Sequence, residues 1–215
     1  MLPNRQPPSA FDPKRASMTY RRALPHLAQD HVIYFVTFRL HDSIPQPKLQ
    51  QWTAQLRQWK NDNPLPHTPQ QVEAFANLGY RRIERWLDRC DGTCLLRDSS
   101  ARQIVGDCLE YRDGQDYSLG DYIIMPNHVH LLVQVAVPHA LKDITKTWYG
   151  VTTHRINKAL DRQGTLWQSE PFDHIVRDEN SLSRIRLYIQ TNGHRLPPNS
   201  WHYSTGTLFA LPPAQ

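Results

Sequence analysis

The chain has 215 residues, of which 39% are hydrophobic and 21% charged, and this composition excludes a wholly disordered protein. Lysine and arginine (25) outnumber aspartate and glutamate (20), and the resulting net charge of +5 is compatible with a polyanionic partner without proving one. The three cysteines, Cys90, Cys94 and Cys108, are odd in number and predict idle or buried thiols rather than a disulfide framework.

The first 30 residues are rich in proline and arginine and contain no apolar segment of the kind found in signal peptides. We interpret residues 1–30 as a basic arm, solvated unless something orders it, in which Arg15, Arg21 and Arg22 are candidates for phosphate contacts. The longest uncharged stretch, residues 122–141, is interrupted by proline, asparagine and histidine and does not resemble a membrane span. We therefore expect a cytoplasmic, nucleoid-associated protein with no membrane partner.

The segment that follows the arm predicts one strand and three helices. The β-branched and aromatic run at residues 31–40 predicts a central strand. Residues 48–60 and 70–89 have helical periodicity and are separated by three prolines, which indicates a helical pair inserted at about residues 47–90. A further helix is predicted over residues 99–113.

The second half of the chain predicts three strands and two helices. In chain order, these elements cover residues 117–124 (strand), 128–137 (strand), 138–160 (helix), 172–177 (strand) and 183–193 (helix). With the first strand they give the order β-α-β-β-α-β, which describes a ferredoxin-like α+β fold with a central antiparallel sheet. We expect one domain over residues 31–203 and a C-terminal tail over 204–215.

The run from Asp121 to Val133 carries two histidines, His128 and His130, within an apolar strand. Residues two apart on a strand point to the same face, so both imidazoles are expected to project together. Two neutral imidazoles form half of a divalent-metal site, although two partly exposed, hydrogen-bonded histidines would give the same spacing.

A tyrosine and an asparagine lie four residues apart in the last predicted helix. Tyr188 and Asn192 therefore share one helix face, which would present a nucleophilic hydroxyl beside an amide oxygen. Asp178 is a candidate N-cap, and Gly193 is expected to end the helix. A core tyrosine close to a helix C-terminus is the alternative interpretation.

Three ordered segments resemble the single-tyrosine transposases of the HUH (His-hydrophobic-His) nuclease superfamily, and most closely the REP-associated tyrosine transposases. These segments are Pro126-Asn-His-Val-His-Leu-Leu-Val133, Leu166-Trp-Gln-Ser-Glu-Pro-Phe-Asp-His-Ile-Val-Arg177 and Leu187-Tyr-Ile-Gln-Thr-Asn192. The resemblance runs from about His31 to Trp201. Where the family usually has Asn-Pro after the tyrosine helix, this chain has Asn192-Gly193.

The resemblance implies an HUH nuclease fold in which Tyr188 is the nucleophile and His128, His130 and Asn192 are the metal ligands. An amide oxygen suits a hard cation such as Mg²⁺ or Mn²⁺, while the imidazoles would also accept Zn²⁺. Attack by Tyr188 would give a 5′-phosphotyrosyl intermediate and a free 3′-hydroxyl, which allows cleavage and rejoining of single-stranded DNA. The implied targets are short palindromic (REP) repeats that fold into hairpins.

Basic side chains near the motifs are further candidates for DNA contacts: Arg155, Lys158, Arg177 and Arg186. A DNA-hairpin-binding protein with little or no catalysis is the main alternative function. A small-molecule metalloenzyme that uses the histidine pair is a third, which would leave Tyr188 without a role. The sequence is compatible with a monomer or a homodimer.

Overall fold

The computed structural model describes residues 7–12, 14–15, 17–20, 25–64, 66–68, 70–71, 74 and 82–210. Its strands are β1 (Ser17–Tyr20), β2 (Pro25–Ala28), β3 (Ile33–Arg39), β4 (Tyr117–Ile124), β5 (His128–Val135), β6 (Phe172–Ile175) and β7 (His202–Thr205). Its longer helices are α1 (Gln46–Asp62), α2 (Ser99–Glu110), α3 (Leu141–Ala159) and α4 (Glu179–Thr191).

The core of the fold is a five-stranded sheet with the order β6-β3-β5-β4-β7. Every neighbouring pair in this sheet is antiparallel. Without the edge strand β7, the four remaining strands and the helices α2 and α3 have the β-α-β-β-α-β connectivity and the strand order of a ferredoxin-like fold. The predicted α+β class is therefore confirmed.

Alternation along the central strand β5 separates two faces of the sheet. Val129, Leu131 and Val133 belong to the larger hydrophobic cluster, which also contains buried residues of α2 and α3. Leu132 belongs to a second cluster on the opposite face, together with Ile189 of α4. Because helices cover both faces, β3, β4 and β5 are buried at every position, and this includes polar residues such as Thr37, Asp121 and His130.

The helical insertion between β3 and α2 has a hydrophobic cluster of its own. Trp52 and Leu56 of α1 pack there with Ile83 and Leu87, which lie in a helical segment at residues 82–87. The predicted first helix is confirmed as α1; the predicted second helix lies partly outside the described residues. Phe172 of β6 packs against this cluster, which brings the insertion to the edge of the sheet.

Residues predicted as an irregular arm include a two-stranded hairpin, β1 paired with β2. His26 on β2 is buried, and its ring bonds Asp173 of β6 through Nδ1 and Glu170 through Nε2, the latter at 3.1 Å. The expectation of a solvated tail is therefore wrong for the hairpin, whose strand β2 is held against β6. Arg21 and Arg22 lie outside the described residues.

The C-terminal end of the domain also differs from the prediction. Strand β7 pairs with β4 and crosses the predicted start of the tail at residue 204. Gly193 does not end α4 as a residue in the left-handed conformation. Helix α4 ends at Thr191, and a 3-10 turn, Asn192–Arg195, follows the helix directly. Gly193 is required for a different reason, because a Cβ there would lie 2.3 Å from Cδ2 of Trp201.

None of the helices within the described residues is long and apolar enough to cross a membrane. The three cysteines are free thiols, and Cys94 and Cys108 are buried.

Candidate active site

The two histidines of β5 lie side by side on the face of the sheet that α4 covers. Their ring centroids are 4.5 Å apart, and both side chains are fully buried. Asn127 fixes the tautomer of His128. The Asn127 Nδ2 group donates to the main-chain oxygens of Leu87 and Asp91, which orients the side-chain amide. Asn127 Oδ1 therefore faces His128 and accepts a hydrogen bond from His128 Nδ1 at 2.7 Å. The Nε2 lone pair of His128 then points away from this bond, and Nε2 is buried with no hydrogen-bond partner in the part of the chain that the structure describes.

His130 is oriented by the strand next to it. Thr37 is its direct partner in the β3–β5 ladder, and Thr37 Oγ1 lies 2.8 Å from His130 Nδ1. Burial lowers the pKa of His128 to about 3. The pKa of His130 is well below its ordinary value, mainly because of burial and to a smaller extent because of the neighbouring His128 ring. Both rings are therefore neutral at physiological pH, which is the form that binds a metal.

Tyr188 reaches this pair from α4. The helix begins at Asp178, whose Oδ1 accepts from Ser181 N at 2.7 Å as an N-cap, and it docks on the sheet through Ile189, which is fully buried. Tyr188 Oη lies 3.3 Å from His130 Nε2. The structure thus brings together residues that are 58 positions apart in the chain.

Asn192 follows Tyr188 by one helical turn, and its Oδ1 is buried with no hydrogen-bond partner among the described residues. Buried acceptors are normally paired, so His128 Nε2 and Asn192 Oδ1 both require an explanation. A divalent cation accepts lone pairs from imidazole nitrogen and amide oxygen, and these residues therefore fit such an ion. Within the described residues, no group of three or more His, Cys, Asp or Glu side chains could hold a metal.

Two residues of this site were missed in the sequence. Glu84, from the helical insertion, accepts a hydrogen bond from Tyr188 Oη through Oε2, and this Oε2 lies 3.6 Å from His130 Nε2. Burial, with a smaller contribution from Asp88, raises the pKa of the Glu84 carboxyl well above its ordinary value. Arg39 is buried opposite His128 in the β3–β5 ladder, and burial lowers its pKa to about 10.

The predicted DNA-contacting side chains occupy different parts of the molecule. Arg15 is exposed near the hairpin, and Arg155 and Lys158 are exposed on α3, the helix that packs on the other face of the sheet. Arg177 is exposed, with its guanidinium over the Phe11 ring, while Arg186 on α4 donates through Nε to Asp121 Oδ2 at 2.6 Å. Their roles in DNA binding stay predictions.

A cavity of about 590 Å³ lies between α2 and α3 and is lined by Cys108, Trp148 and Arg155 among others. It lies on the face opposite the histidines. A smaller cavity of about 100 Å³ adjoins the site and is lined by Thr37, Arg39 and residues of α1. We place the candidate active site at the histidine pair because geometry and unpaired acceptors coincide there.

Comparison with known proteins identifies the central segment. Residues 96–192 match the family model described as "Transposase IS200 like". This segment, 97 of the 215 residues, is similar to the IS200-like transposases. The match begins just before α2 and ends at Asn192, so the IS200-like segment contains His128, His130, Tyr188 and Asn192. It does not contain β3 or the insertion, which supply Thr37 and Glu84.

Two solved structures are similar to the chain at low sequence identity. One is a REP-associated tyrosine transposase bound to a REP hairpin, at 12% identity and a TM-score of 0.40, over 82% of this chain and 73% of that one. The other is a putative transposase from Deinococcus radiodurans, at 15% identity and a TM-score of 0.33, over 75% of this chain and 90% of that one. A search of curated proteins gives no match.

Proposed function

We propose that this protein is an IS200-like transposase that cleaves and rejoins single-stranded DNA with Tyr188 as nucleophile and with a divalent metal ion, Mg²⁺ or Mn²⁺, as cofactor. One observation carries the proposal: Tyr188 Oη lies 3.3 Å from His130 Nε2, at a site where His128 Nε2 and Asn192 Oδ1 are buried acceptors with no partner among the described residues. A structural tyrosine would not require unpaired acceptors around it.

The reaction that these groups support is transfer of a phosphodiester to tyrosine. The Tyr188 oxygen attacks phosphorus, the bond from phosphorus to the 3′ oxygen breaks, and the products are a 5′-phosphotyrosine and a 3′-hydroxyl. His128, His130 and Asn192 would hold the divalent ion, which supplies positive charge at the scissile phosphate. Because the phosphotyrosine retains the energy of a phosphodiester, a 3′-hydroxyl can reverse the step, and strand transfer needs no ATP.

The chain's own residues contribute orientation and charge around this step. Thr37 and Asn127 hold the two imidazoles at their Nδ1 atoms. Arg39 is a buried cation at the end of β3 that pairs with His128, and its guanidinium donates to Ser43 Oγ at 3.2 Å. This cation adds to the positive field that a phosphate would meet.

The proposed substrate is a DNA hairpin of the REP type, which the resemblance of the three sequence motifs implies. We place the activity in the cytoplasm, on the nucleoid. Single strands are bound by basic side chains and stacking aromatics, and the exposed Arg177 beside Phe11 offers both groups close to α4.

A covalent-trapping assay tests the proposal. The protein is incubated with labelled single-stranded hairpin DNA and Mg²⁺, Mn²⁺ or a chelator, and denaturing gels report label that is linked to protein. We expect a metal-dependent adduct that is lost in Tyr188→Phe and in His128→Ala. Tyr149→Phe is the matched control, because the Tyr149 hydroxyl is buried without a partner on α3, and it should leave the adduct unchanged.

Tight hairpin binding without an adduct would contradict the nuclease and would support a DNA-binding protein that lacks catalysis. An adduct that persists in Tyr188→Phe would refute the assignment of the nucleophile.

A further inference from the structure

The contact between Glu84 and Tyr188 joins the helical insertion to the candidate nucleophile. Tyr188 Oη donates to Glu84 Oε2 across 104 positions of sequence. The side chain of Glu84 is 11% exposed, and its second oxygen, Oε1, is buried without a hydrogen-bond partner. Glu84 therefore directs one oxygen at the tyrosine while the other has no structural partner among the described residues.

Among the described residues, Glu84 forms no ion pair with a lysine or an arginine. The one basic side chain within 4 Å of its carboxyl oxygens is His130, with Nε2 3.6 Å from Oε2. A buried carboxyl group with no cation beside it destabilises the fold. Replacement by an apolar residue would remove this cost, so the position of the carboxyl at the tyrosine hydroxyl indicates a chemical use.

The geometry points to Glu84 as the proton acceptor for Tyr188 in the cleavage step; this inference rests on the proposed function. As the Tyr188 oxygen bonds to phosphorus, its proton passes to Glu84 Oε2 and the bond to the 3′ oxygen breaks. The 3′ oxygen takes a proton from water, and Glu84 returns its proton to solvent. In the rejoining step the transfers run in reverse, and Glu84 protonates the departing tyrosine.

A metal ligand is the other use for a carboxylate at this place, and the arrangement favours the proton acceptor. Glu84 makes a direct hydrogen bond to the reacting oxygen. Its contact with the histidine pair is longer, with Oε2 3.6 Å from His130 Nε2.

Single-turnover rates of adduct formation in Glu84→Gln test the inference. The glutamine oxygen still accepts the tyrosine hydrogen bond but cannot take its proton, so we expect a loss of roughly 10²- to 10⁴-fold. DNA affinity and Mn²⁺ affinity, the latter measured by electron paramagnetic resonance, should remain unchanged. Rejoining from the isolated adduct should slow by a similar factor. In Glu84→Ala, added formate should restore part of the rate by occupying the vacated space.

Asp62→Asn is the matched control, because Asp62 ends α1 in the same insertion and is exposed to solvent. It changes the charge by the same amount and should keep the full rate. An unimpaired rate in Glu84→Gln would overturn the role of Glu84 as proton acceptor. The proposed function would still stand, because the unaltered protein would form the adduct. Reduced Mn²⁺ affinity in Glu84→Gln would overturn it in favour of a metal ligand. Absence of an adduct from the unaltered protein would overturn both.

Discussion

The buried neutral state of His128 should make the stability of the protein fall as the pH is lowered. The folded protein keeps the pKa of His128 at about 3, whereas the unfolded chain has the ordinary value near 6.5. Between these values the unfolded state binds a proton that the folded state does not, so stability is complete above pH 6.5 and declines below it. From pH 7 to pH 5, His128 alone should cost about 2 kcal/mol of unfolding free energy.

Urea unfolding of the unaltered protein and of His128→Asn, at pH 7 and pH 5 with chelator present, measures this contribution. The raised pKa of Glu84 has the opposite effect on stability, because here the folded state binds the extra proton as the pH falls. This contribution is the same in both proteins and cancels when their losses are compared. We expect the loss between the two pH values to be about 2 kcal/mol smaller in His128→Asn. His154→Asn, at an exposed position of α3, should behave like the unaltered protein. An equal loss of unfolding free energy between pH 7 and pH 5 in all three proteins would refute a neutral, buried imidazole at His128.

Two further predictions concern the fold around the site. Gly193→Ala should destabilise the protein by about 1–3 kcal/mol in denaturant unfolding, because the alanine Cβ would overlap the Trp201 ring. Gly150→Ala, at a helical position with open space around it, should stabilise the protein by about 0.5–1 kcal/mol. Equal effects of the two changes would contradict the packing at Trp201. His26→Leu should remove the contacts of β2 with Asp173 and Glu170 and release the β1–β2 hairpin. Faster hydrogen exchange of the hairpin amides would report this release, and unchanged exchange would contradict this anchor.

The sequence predicts those parts of the fold whose local pattern is strong. Strand β4 has the predicted bounds, 117–124. Its apolar end at residues 122–124 is followed by Pro126, and the polar residues 113–116 precede Tyr117. The hairpin and β7 have strands of four residues each, too short for a periodic pattern to distinguish them from loops. The face shared by His128 and His130 follows from strand spacing alone, and the structure has both rings on that face.

The sequence could not predict the contact of Glu84 with Tyr188. Periodicity relates residues within one helix or strand, but this contact depends on how the insertion folds back on the sheet, over a separation of 104 residues. Glu84 had one feature that could have drawn attention to it, a carboxylate between the apolar residues Ile83 and Trp86 of an amphipathic helix. The tyrosine, the histidines and the asparagine were accessible because each lies in a short motif, and their catalytic roles stay predictions.

The insertion also orders the histidines, which makes it part of the site rather than an addition to the fold. Asn127 donates to the main-chain oxygens of Leu87 and Asp91, at the end of the insertion, and this leaves only its side-chain oxygen to face His128. Those two bonds therefore determine which nitrogen of His128 carries the proton. Since Glu84 comes from the same segment, the tautomer of one histidine and the hydrogen bond of Tyr188 both depend on the docking of the insertion against the sheet.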